Sequence, residues 1–531
     1  MIYRLLTLVI LMTGVSVLKA NSDTDTLAVI SLNDFHGSFV KSNDVPGAGN
    51  IYSSIARIKE RYPANIVLSA GDNFGGSYFS LLTKGSLLPF FFNSVGIRYS
   101  AVGNHEFDNG QDFFAELGKD TIEYLCGNIT KGGNLLPRTS SKATVRIAMP
   151  NSSDTVDVEI TGLISALAKN QCQKECVEGL DFSDDYMPLI TDGLDGSKDK
   201  IRILLAHIGT YTDSRNNARW DDAENKAALR FGPDTISGIA SGHSHKYVCG
   251  YINDVPAVQG VVSGRYISVL RFVRKNGETF PCPPMLVKVD DISDTCSIRK
   301  ELDSRIKQVC DNTTVPSIEM SLSDEIGNAL DTIIHNRSIN PEETTALGTY
   351  ACMAYADAYR NLKGISDEEP VLAFCNFGSI RRSLYPGSTD VLTAGELLPF
   401  SNALKVYNLT GKEIFKIIES GIKNGNGCMQ MNNLVVDTLN HEGKTRVLNV
   451  WYNIPGKKYI AISKKKSYPV VADSFITTGG DGYPAHLFPE SKCVKDMELP
   501  GTTDAFLLFL KKIHQKNISL SSKSEFKARI K

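Results

Sequence analysis

Side chains that can bind a metal ion recur in the first half of the sequence, each at the end of a short apolar run. Five of the nine histidines occupy such positions, and acidic or amide side chains share them. Any one of these residues, taken alone, is more simply interpreted as a hydrogen-bonding group in a loop. Their joint occurrence would require five coincidences, so we interpret the set as a metal site. The seven candidate ligands are Asp34, His36, Asp72, Asn104, His207, His243 and His245, and the fifth histidine, His105, directly follows Asn104.

The donor types restrict the metal and the reaction. The motifs Asp34-x-His36 and His243-x-His245 each separate two donors by one residue, so strand alternation would direct both toward one ion. The set contains no thiolate, which favours zinc, manganese or a similar divalent ion over an iron–sulfur or copper thiolate site. It is too large for one tetrahedral ion. It fits two ions about 3.5–4 Å apart that share a carboxylate, an arrangement suited to phosphoryl transfer.

Strands must position these donors. Apolar runs at 27–33, 65–73, 99–108, 202–210 and 236–245 each end in Asp, Asn or His, and helical patterns lie between them. This alternation predicts an α/β architecture with a largely parallel sheet. The donors should therefore meet beyond the carboxyl ends of the strands. The pattern fades after about residue 300, where a charged helix at 300–310 is expected as a connector.

Composition excludes several functional classes. The chain has 531 residues and a formal net charge of −2, which argues against a nucleic-acid polymer as partner.

The apolar run at 5–12 predicts a secretory signal cut after Ala20, with an uncleaved anchor as the alternative. No later run reaches membrane-spanning length, so no membrane anchor is expected. Eleven cysteines in an exported chain predict disulfides, but the sequence does not indicate which cysteines pair. Six Asn-x-Ser/Thr sequons would be glycosylated only in a eukaryotic secretory route.

The motifs D-x-H, GD-N, GNHE-F-D, a lone His after a strand, and GHSH follow one another in the order of the calcineurin-like metallophosphatases. With its C-terminal motifs, the chain resembles the 5′-nucleotidase family, which includes ecto-5′-nucleotidases, secreted apyrases and periplasmic UDP-sugar hydrolases. The resemblance implies an α/β fold: an N-terminal four-layer α/β/β/α dimetal phosphoesterase domain and a C-terminal α/β substrate-binding domain. The expected boundaries are a signal peptide at 1–20, the metallophosphatase domain at 21–298, a linker helix region at 299–335 and the nucleotide-binding domain at 336–531.

The resemblance also implies roles for individual residues. Two divalent ions are expected, zinc first, with manganese, cobalt, magnesium and calcium as alternatives, and they would activate a hydroxide. His105 would contact the phosphate and the leaving group, with Asp108 orienting it; the alternative for Asp108 is an acid at a helix start. Glu106 is interpreted only as a helix-start acid. The implied ligand sets are Asp34, His36, Asp72 and His245 for one ion, and Asp72, Asn104, His207 and His243 for the other.

The C-terminal half carries the expected substrate residues. The segment 376–381 matches the family motif N-x-G-G-I-R, with Ser379 in place of a glycine. Arg381 would contact the phosphate, and Phe400 and Tyr483 would stack on the base. Core packing is the alternative for Phe400, and a surface salt bridge is the alternative for the neighbouring Arg382. The full substrate set is Asn376, Gly378, Arg381, Phe400 and Tyr483.

Two positions depart from the family pattern. The segment 342–350 has acids where relatives carry an arginine, and Thr349 stands where they carry an asparagine. The acid that holds the ribose in relatives has no clear counterpart, and Glu490 is a guess. These departures leave the preferred nucleotide open.

Three functions are compatible with these features. The first is an exported 5′-nucleotidase that releases phosphate from nucleoside monophosphates such as AMP. The second is an apyrase acting on ADP and ATP, or a UDP-sugar hydrolase, on the same scaffold. The third is a non-catalytic nucleotide-binding scavenger, which the intact ligand set and the His105–Asp108 pair disfavour. The enzyme would be secreted, or periplasmic in a bacterial host, and a monomer or homodimer.

Overall fold

The computed structural model describes residues 26–530, except for 117–120, 151–152, 197–198, 214–216, 221–229, 276, 294–295, 337–338, 442–443, 455–458 and 525–526. The predicted signal peptide at 1–20 lies outside the described residues. Within the described ranges, no helix combines the length and the apolar character needed to cross a bilayer.

The first sheet of the N-terminal half has eight strands, with the first described strand near its centre. Strand Thr26–Leu32 pairs in parallel with Ala64–Ser69, and that strand pairs in parallel with Ile97–Ala101. Helices fill the crossovers that parallel pairing requires. Across the sheet the strands are Glu278–Pro281, Tyr266–Lys275, Thr26–Leu32, Ala64–Ser69, Ile97–Ala101, Glu123–Leu125 and Thr139–Ser140, and Met285–Lys288 also pairs with Tyr266–Lys275.

The second sheet has six strands and packs face to face with the first. Along strand Thr26–Leu32, Leu27 and Val29 face the second sheet, whereas Ala28 and Ile30 face the helices. Every residue of this strand is buried, as expected for a strand covered on both faces. In order, the strands of the second sheet are Tyr247–Ile252, Val255–Gly260, Gly238–Ser241, Ile201–His207, Thr155–Ile164 and Lys142–Ala148.

Helices cover the outer face of the first sheet, and helix Met187–Thr191 together with strand Ala218–Trp220 covers that of the second, so the predicted four-layer α/β/β/α arrangement is confirmed. On the second sheet, Leu204 and Ala206 pack beneath Tyr186 and Trp220 on the face opposite the first sheet. The described α-helices of this half are Gly47–Arg61, Tyr78–Thr83, Leu88–Val95, Gln111–Glu116 and Met187–Thr191.

The predicted charged helix at 300–310 is present as Ser297–Asn312. It packs on helix Gly47–Arg61, where the Arg299 guanidinium donates to Asn50 Oδ1 at 3.0 Å and to Ser53 Oγ at 3.1 Å. The helix is therefore fastened to the N-terminal half. The exact domain boundaries remain predictions.

The C-terminal half has two four-stranded sheets and a substantial apolar core of its own. One sheet contains Leu404–Thr410, Ser467–Asp473, Leu372–Cys375 and Gln430–Met431; the other contains Tyr459–Ala461, Lys444–Asn453, Leu434–His441 and Arg529–Ile530. Strand Glu325–Ala329 pairs with Gly387–Asp390. The described α-helices are Ala346–Lys363, Val391–Leu397, Gly411–Ile422, Ser474–Thr477 and Thr502–Gln515.

The two halves touch beside the carboxyl edge of the first sheet. The ring of Tyr78 packs so closely on Gly395 that any side chain there would collide with it. The Phe79 backbone amide donates to Glu396 Oε1 at 3.0 Å. The Tyr385 hydroxyl donates to Asp44 Oδ1 at 3.0 Å. These contacts enclose a space between the halves.

Candidate active site

All seven predicted metal ligands converge at the carboxyl ends of the strands. The strands that carry them belong to both sheets, so the site lies where the two sheets open toward the C-terminal half. In the first sheet the donors follow Thr26–Leu32, Ala64–Ser69 and Ile97–Ala101. In the second sheet His207 ends its strand, and two more histidines follow Gly238–Ser241.

One ligand cluster contains Asp34, His36, Asp72 and His245, whose donor atoms all lie within 4.8 Å of one another. His36 Nε2 and His245 Nε2 are 3.0 Å apart. Asp34 Oδ1 lies 3.5 Å from His245 Nε2, and Asp72 Oδ2 lies 4.0 Å from His36 Nε2. The four donors therefore face one point.

The second ligand cluster shares Asp72 with the first. Its other donors include His207 and His243, again within 4.8 Å of one another. Asp72 Oδ2 lies 3.1 Å from His207 Nε2, and His243 Nδ1 lies 3.3 Å from His207 Nε2. The amide oxygen of Asn104 is 3.1 Å from His243 Nδ1, which adds a fourth donor.

The donor chemistry of both clusters fits a divalent cation. Asp34 and Asp72 are buried at 0 % and 2 % exposure, and buried carboxylates need cationic partners. Facing imidazole nitrogens and carboxylate oxygens are ligands that ions such as zinc accept. The structure thus contains a divalent metal site.

The ligand loops adopt an unusual backbone. Asp34, His36, Asp72, His243 and His245 all have positive φ, between 47° and 81°. Residues other than glycine rarely adopt this left-handed region, and such strain is concentrated at functional sites. Strand alternation was therefore the wrong reason for pairing Asp34 with His36 and His243 with His245. The strands end before these motifs, and left-handed turns direct each pair inward.

Backbone carbonyls orient two of the imidazole ligands. His207 Nδ1 lies 2.8 Å from the Ala70 carbonyl oxygen, and His36 Nδ1 lies 3.2 Å from the Gly75 carbonyl oxygen. Each carbonyl oxygen accepts a hydrogen bond from Nδ1, so it is Nε2 that faces the cluster and would bind a metal ion. Such partners fix both the tautomer and the ring orientation of a metal-binding histidine.

Glu106 has a structural role that the sequence interpretation missed. It lies in the first turn of a short 3-10 helix, as expected of a helix-start acid. However, its buried carboxylate accepts hydrogen bonds from the backbone amides of Asp72 at 3.0 Å, Asn73 at 2.9 Å and Gly103 at 2.6 Å. Burial and the nearby Asp72 carboxylate raise the pKa of Glu106 to about 7. Glu106 therefore ties together two of the loops that carry ligands; its position inside the GNHE-F-D motif was the only available signal.

The predicted pair His105 and Asp108 is formed. His105 Nδ1 lies 2.8 Å from Asp108 Oδ2, and the His105 backbone amide donates to Asp72 Oδ1 at 2.9 Å. Burial disfavours the charged ring, but the carboxylates of Asp72 and Asp108 outweigh burial and raise the pKa of His105 to about 9. The two carboxylates therefore favour the protonated form of the imidazole beside the ligand clusters.

A cavity of about 420 Å³ lies between the two halves and reaches the metal ligands. His36, His105 and His245 line it from the N-terminal half. Arg381 and Phe400 line it from the C-terminal half, and the Arg381 guanidinium carbon is 5.5 Å from the Phe400 ring centroid. The structure thus brings a cation and an aromatic ring to the predicted phosphate site.

The other predicted substrate residues do not reach this cavity. Asn376, Gly378 and Tyr483 are not among the described residues that line it. The Asn376 side chain donates to Asp481 Oδ2 at 2.6 Å, and Tyr483 is 3 % exposed within the C-terminal apolar core. In this structure Tyr483 therefore does not form a sandwich with Phe400.

Two further residues that the sequence raised as weaker candidates, Arg382 and Glu490, differ in their position relative to the cavity. Arg382 pairs with Glu396 at 3.0 Å, which matches the salt-bridge alternative, although this arginine also lines the cavity. Glu490 is exposed and is not among the described residues that line the cavity.

Comparison with known proteins identifies the family. The model for the calcineurin-like phosphoesterases matches residues 27–247, and that for the 5′-nucleotidase C-terminal domain matches residues 325–487. The chain belongs to the 5′-nucleotidase family. As a member of this family, it is a metal-dependent phosphoric ester hydrolase.

Similar proteins in this family match most of the chain. An apyrase of Tabanus yao is 24 % identical, covering 86 % of this chain and 86 % of that protein. A snake venom 5′-nucleotidase of Naja atra is 24 % identical, covering 86 % of this chain and 91 % of that protein. The crystal structure of a 5′-nucleotidase precursor from Thermus thermophilus has a TM-score of 0.67 at 21 % identity and covers 95 % of this chain and 99 % of that chain. That structure shares the fold of this protein.

Proposed function

We propose that this protein hydrolyses nucleoside 5′-monophosphates to a nucleoside and phosphate, using two divalent metal ions. The observation that carries the proposal is a pair of ligand clusters that share Asp72 and border a cavity containing His105, Arg381 and Phe400. Metal, proton donor, phosphate-binding cation and base-stacking ring are thereby available to one substrate.

The two ions are assigned to the ligand sets described above. Asp34, His36, Asp72 and His245 would hold one ion, and Asp72, Asn104, His207 and His243 the other. When bound, such ions polarise water and neutralise charge on phosphoryl oxygens. The mixed oxygen and nitrogen donors favour zinc, with manganese, cobalt, magnesium or calcium as alternatives.

His105 and Asp108 supply the proton chemistry. Asp108 Oδ2 accepts a hydrogen bond from His105 Nδ1, so Nε2 on the opposite side of the ring carries the proton available to the substrate. The raised pKa keeps that proton in place at neutral pH. His105 would donate it to the 5′-oxygen as the bond to phosphorus breaks.

The C-terminal half positions the nucleotide. Arg381 would bind a phosphate oxygen, and its guanidinium matches the geometry of that group. Phe400 would stack on one face of the base, which tolerates several bases. Asn376, Gly378 and Tyr483 retain their predicted contacts with the nucleoside only if the cavity rearranges around substrate.

Apyrase activity is the second candidate function, because the similar Tabanus yao protein is an apyrase. Turnover of AMP, ADP, ATP, UDP-glucose and 2′,3′-cyclic AMP by the zinc-loaded protein, with the products identified by chromatography, separates the two. We expect AMP to be the best substrate. ADP and ATP turnover above AMP turnover would favour the apyrase. Inactivity on all five substrates with measured zinc bound would overturn the hydrolase mechanism.

We also propose that the protein is exported, either secreted or periplasmic. The apolar run at 5–12 and the venom 5′-nucleotidase among similar proteins support this. Expression with the native leader should place the protein outside the cytoplasm, with an N-terminus at residue 21 by mass spectrometry. Retention of residues 1–20 on a cytoplasmic product would contradict export.

A further inference from the structure

Two buried thiols meet directly behind the substrate segment 376–381. Cys352 lies on helix Ala346–Lys363, and Cys375 is the last residue of strand Leu372–Cys375. Both residues are 0 % exposed. Their Sγ atoms lie 3.7 Å apart, so the side chains already point at each other.

As two reduced thiols, Cys352 and Cys375 would contribute little to the stability of the fold. A thiol is a weak hydrogen-bond donor and a weak acceptor, and a buried cysteine otherwise behaves as a small apolar side chain. A covalent bond between the sulfurs would need only a small approach of the two side chains. It would close a loop between residues 23 positions apart, which restricts the unfolded chain.

We propose that Cys352 and Cys375 form a disulfide that fastens the helix to the strand preceding Asn376. The pairing rests on the proposed export, since disulfides persist in oxidising compartments, and it does not depend on which nucleotide is hydrolysed. The bond selects one pair among eleven cysteines.

The bond forms by exchange with a disulfide oxidant, such as oxidised glutathione or a protein oxidase. One cysteine thiolate attacks the oxidant, which creates a mixed disulfide and releases the first oxidant thiol. The second cysteine thiolate then attacks the sulfur of the first cysteine, which forms the Sγ–Sγ bond and releases the second oxidant thiol. Two cysteine thiols are oxidised, one disulfide is reduced, and the two protons end on the product thiols.

Burial dictates when this reaction occurs. The contact with Cys352 and burial hold the pKa of Cys375 well above its usual range, so the folded protein offers little thiolate. Exchange must therefore precede the packing of helix Ala346–Lys363 on its sheet. Once formed, the bond would be shielded from reductants in solution.

The bond would stabilise the segment that carries Arg381. Cys375 is followed directly by Asn376, whose side chain holds Asp481. At the start of the helix, Thr345 bonds His335 Nδ1 at 2.7 Å, and His335 Nε2 lies 2.9 Å from the Phe377 carbonyl oxygen. A fixed distance between the helix and the strand would hold the contacts of Asn376 and Phe377, and therefore the start of segment 376–381, in place.

Peptide mapping tests the bond itself. The full-length protein, expressed through an oxidising secretory route, is denatured with a thiol-blocking reagent and digested without reductant. We expect the peptides containing Cys352 and Cys375 to be recovered as one linked species, which separates into two after reduction. Recovery of both as blocked single peptides, or a link from either to another cysteine, would overturn the proposal.

A second test measures thermal stability and not enzyme activity, because nucleotide hydrolysis can be lost for reasons unrelated to the disulfide. Protein unfolded and refolded with reductant is compared with oxidised protein in wild type and in Cys352→Ala/Cys375→Ala. The reductant-dependent fall in Tm should be roughly 6–12 °C smaller in the double variant. Cys428→Ala is the matched control: it removes a buried thiol that contacts the Met429 carbonyl oxygen, and it should keep the wild-type fall. An equal fall in the double variant and the wild type would refute the link.

Discussion

The two sides of the cavity differ in how completely the structure assembles the residues predicted for them. On the metal side, all seven ligands and the His105–Asp108 pair meet within hydrogen-bonding or coordination distance. On the nucleoside side, only Arg381 and Phe400 border the cavity, while Tyr483 is packed in the core. The metal side is built from loops tied directly to strand ends, whereas the nucleoside side depends on segments that pack against their own domain. The first is assembled in this structure, whereas the second would have to rearrange for Asn376, Gly378 and Tyr483 to contact a substrate.

Replacement of Asp72 should cause the largest loss of metal binding and activity among the variants considered. Its carboxylate belongs to both ligand clusters, so Asp72→Ala should remove both ions and all measurable turnover. Metal content per chain, measured alongside phosphate release from AMP, checks this. The exposed Asp181→Asn is the control and should keep both. Full metal occupancy in Asp72→Ala would show that the clusters do not depend on a shared ligand.

His105→Asn should leave the metals in place and slow the chemistry. Because the imidazole supplies a proton and is not assigned as a ligand, kcat should fall roughly 10²–10⁴-fold with unchanged metal content. Single-turnover kinetics on AMP measures the chemical step. Unchanged phosphate release would make the assigned catalytic role wrong.

Glu106→Gln should lower the affinity for metal ions, although Glu106 is not itself a proposed ligand. The amide can accept fewer backbone hydrogen bonds than the carboxylate that now holds Asp72, Asn73 and Gly103. We expect a roughly 10–100-fold loss of zinc affinity, measured by competition with a chelator. Glu123→Gln, at an exposed acid, should show wild-type affinity. Equal affinities in both variants would reduce Glu106 to a helix-start acid.

Phe400→Ala should act on the nucleoside side alone. Loss of one stacking surface should raise KM for AMP about 10-fold and leave KM for ribose 5-phosphate unchanged. Comparison of the two substrates separates base stacking from general damage, because ribose 5-phosphate has no base. A parallel rise for both substrates would assign Phe400 to core packing.

Tyr483→Phe should have the smallest effect. Within the described residues, the buried Tyr483 hydroxyl has no hydrogen-bond partner, so its removal should leave Tm unchanged or slightly raised. KM for AMP should stay within about 2-fold, since the ring is retained for either role. A fall in Tm of several degrees would reveal a hydroxyl contact that this conformation lacks.

The sequence predicts the metal side well because its signals are local. Each ligand follows a strongly apolar strand, and parallel strands bring their carboxyl ends to one edge regardless of loop detail. The loop conformation was not predictable in this way. The left-handed turns at Asp34 and His243 are joined by a hydrogen bond between segments far apart in sequence, and so are Glu106 and two of its three amides, those of Asp72 and Asn73.

The nucleoside side illustrates the opposite case. Phe400 and Tyr483 are recognised through motifs, and a motif does not specify whether an aromatic ring faces a cavity or a core. Burial of Tyr483 follows from the packing of its loop on the sheet that carries Cys375. That packing involves four strands whose order is not apparent from the sequence.

The positive φ angles of five metal ligands restrict which residues could ever occupy those positions. Glycine would relieve the backbone, but it has no donor atom. Cysteine and glutamate can bind a metal, but they seldom adopt a left-handed backbone, whereas aspartate, asparagine and histidine tolerate it far better. The shape of the loops thus favours aspartate, asparagine and histidine at these positions. Sequence variation at these positions within the family should therefore exchange histidine, aspartate and asparagine far more often than it introduces cysteine.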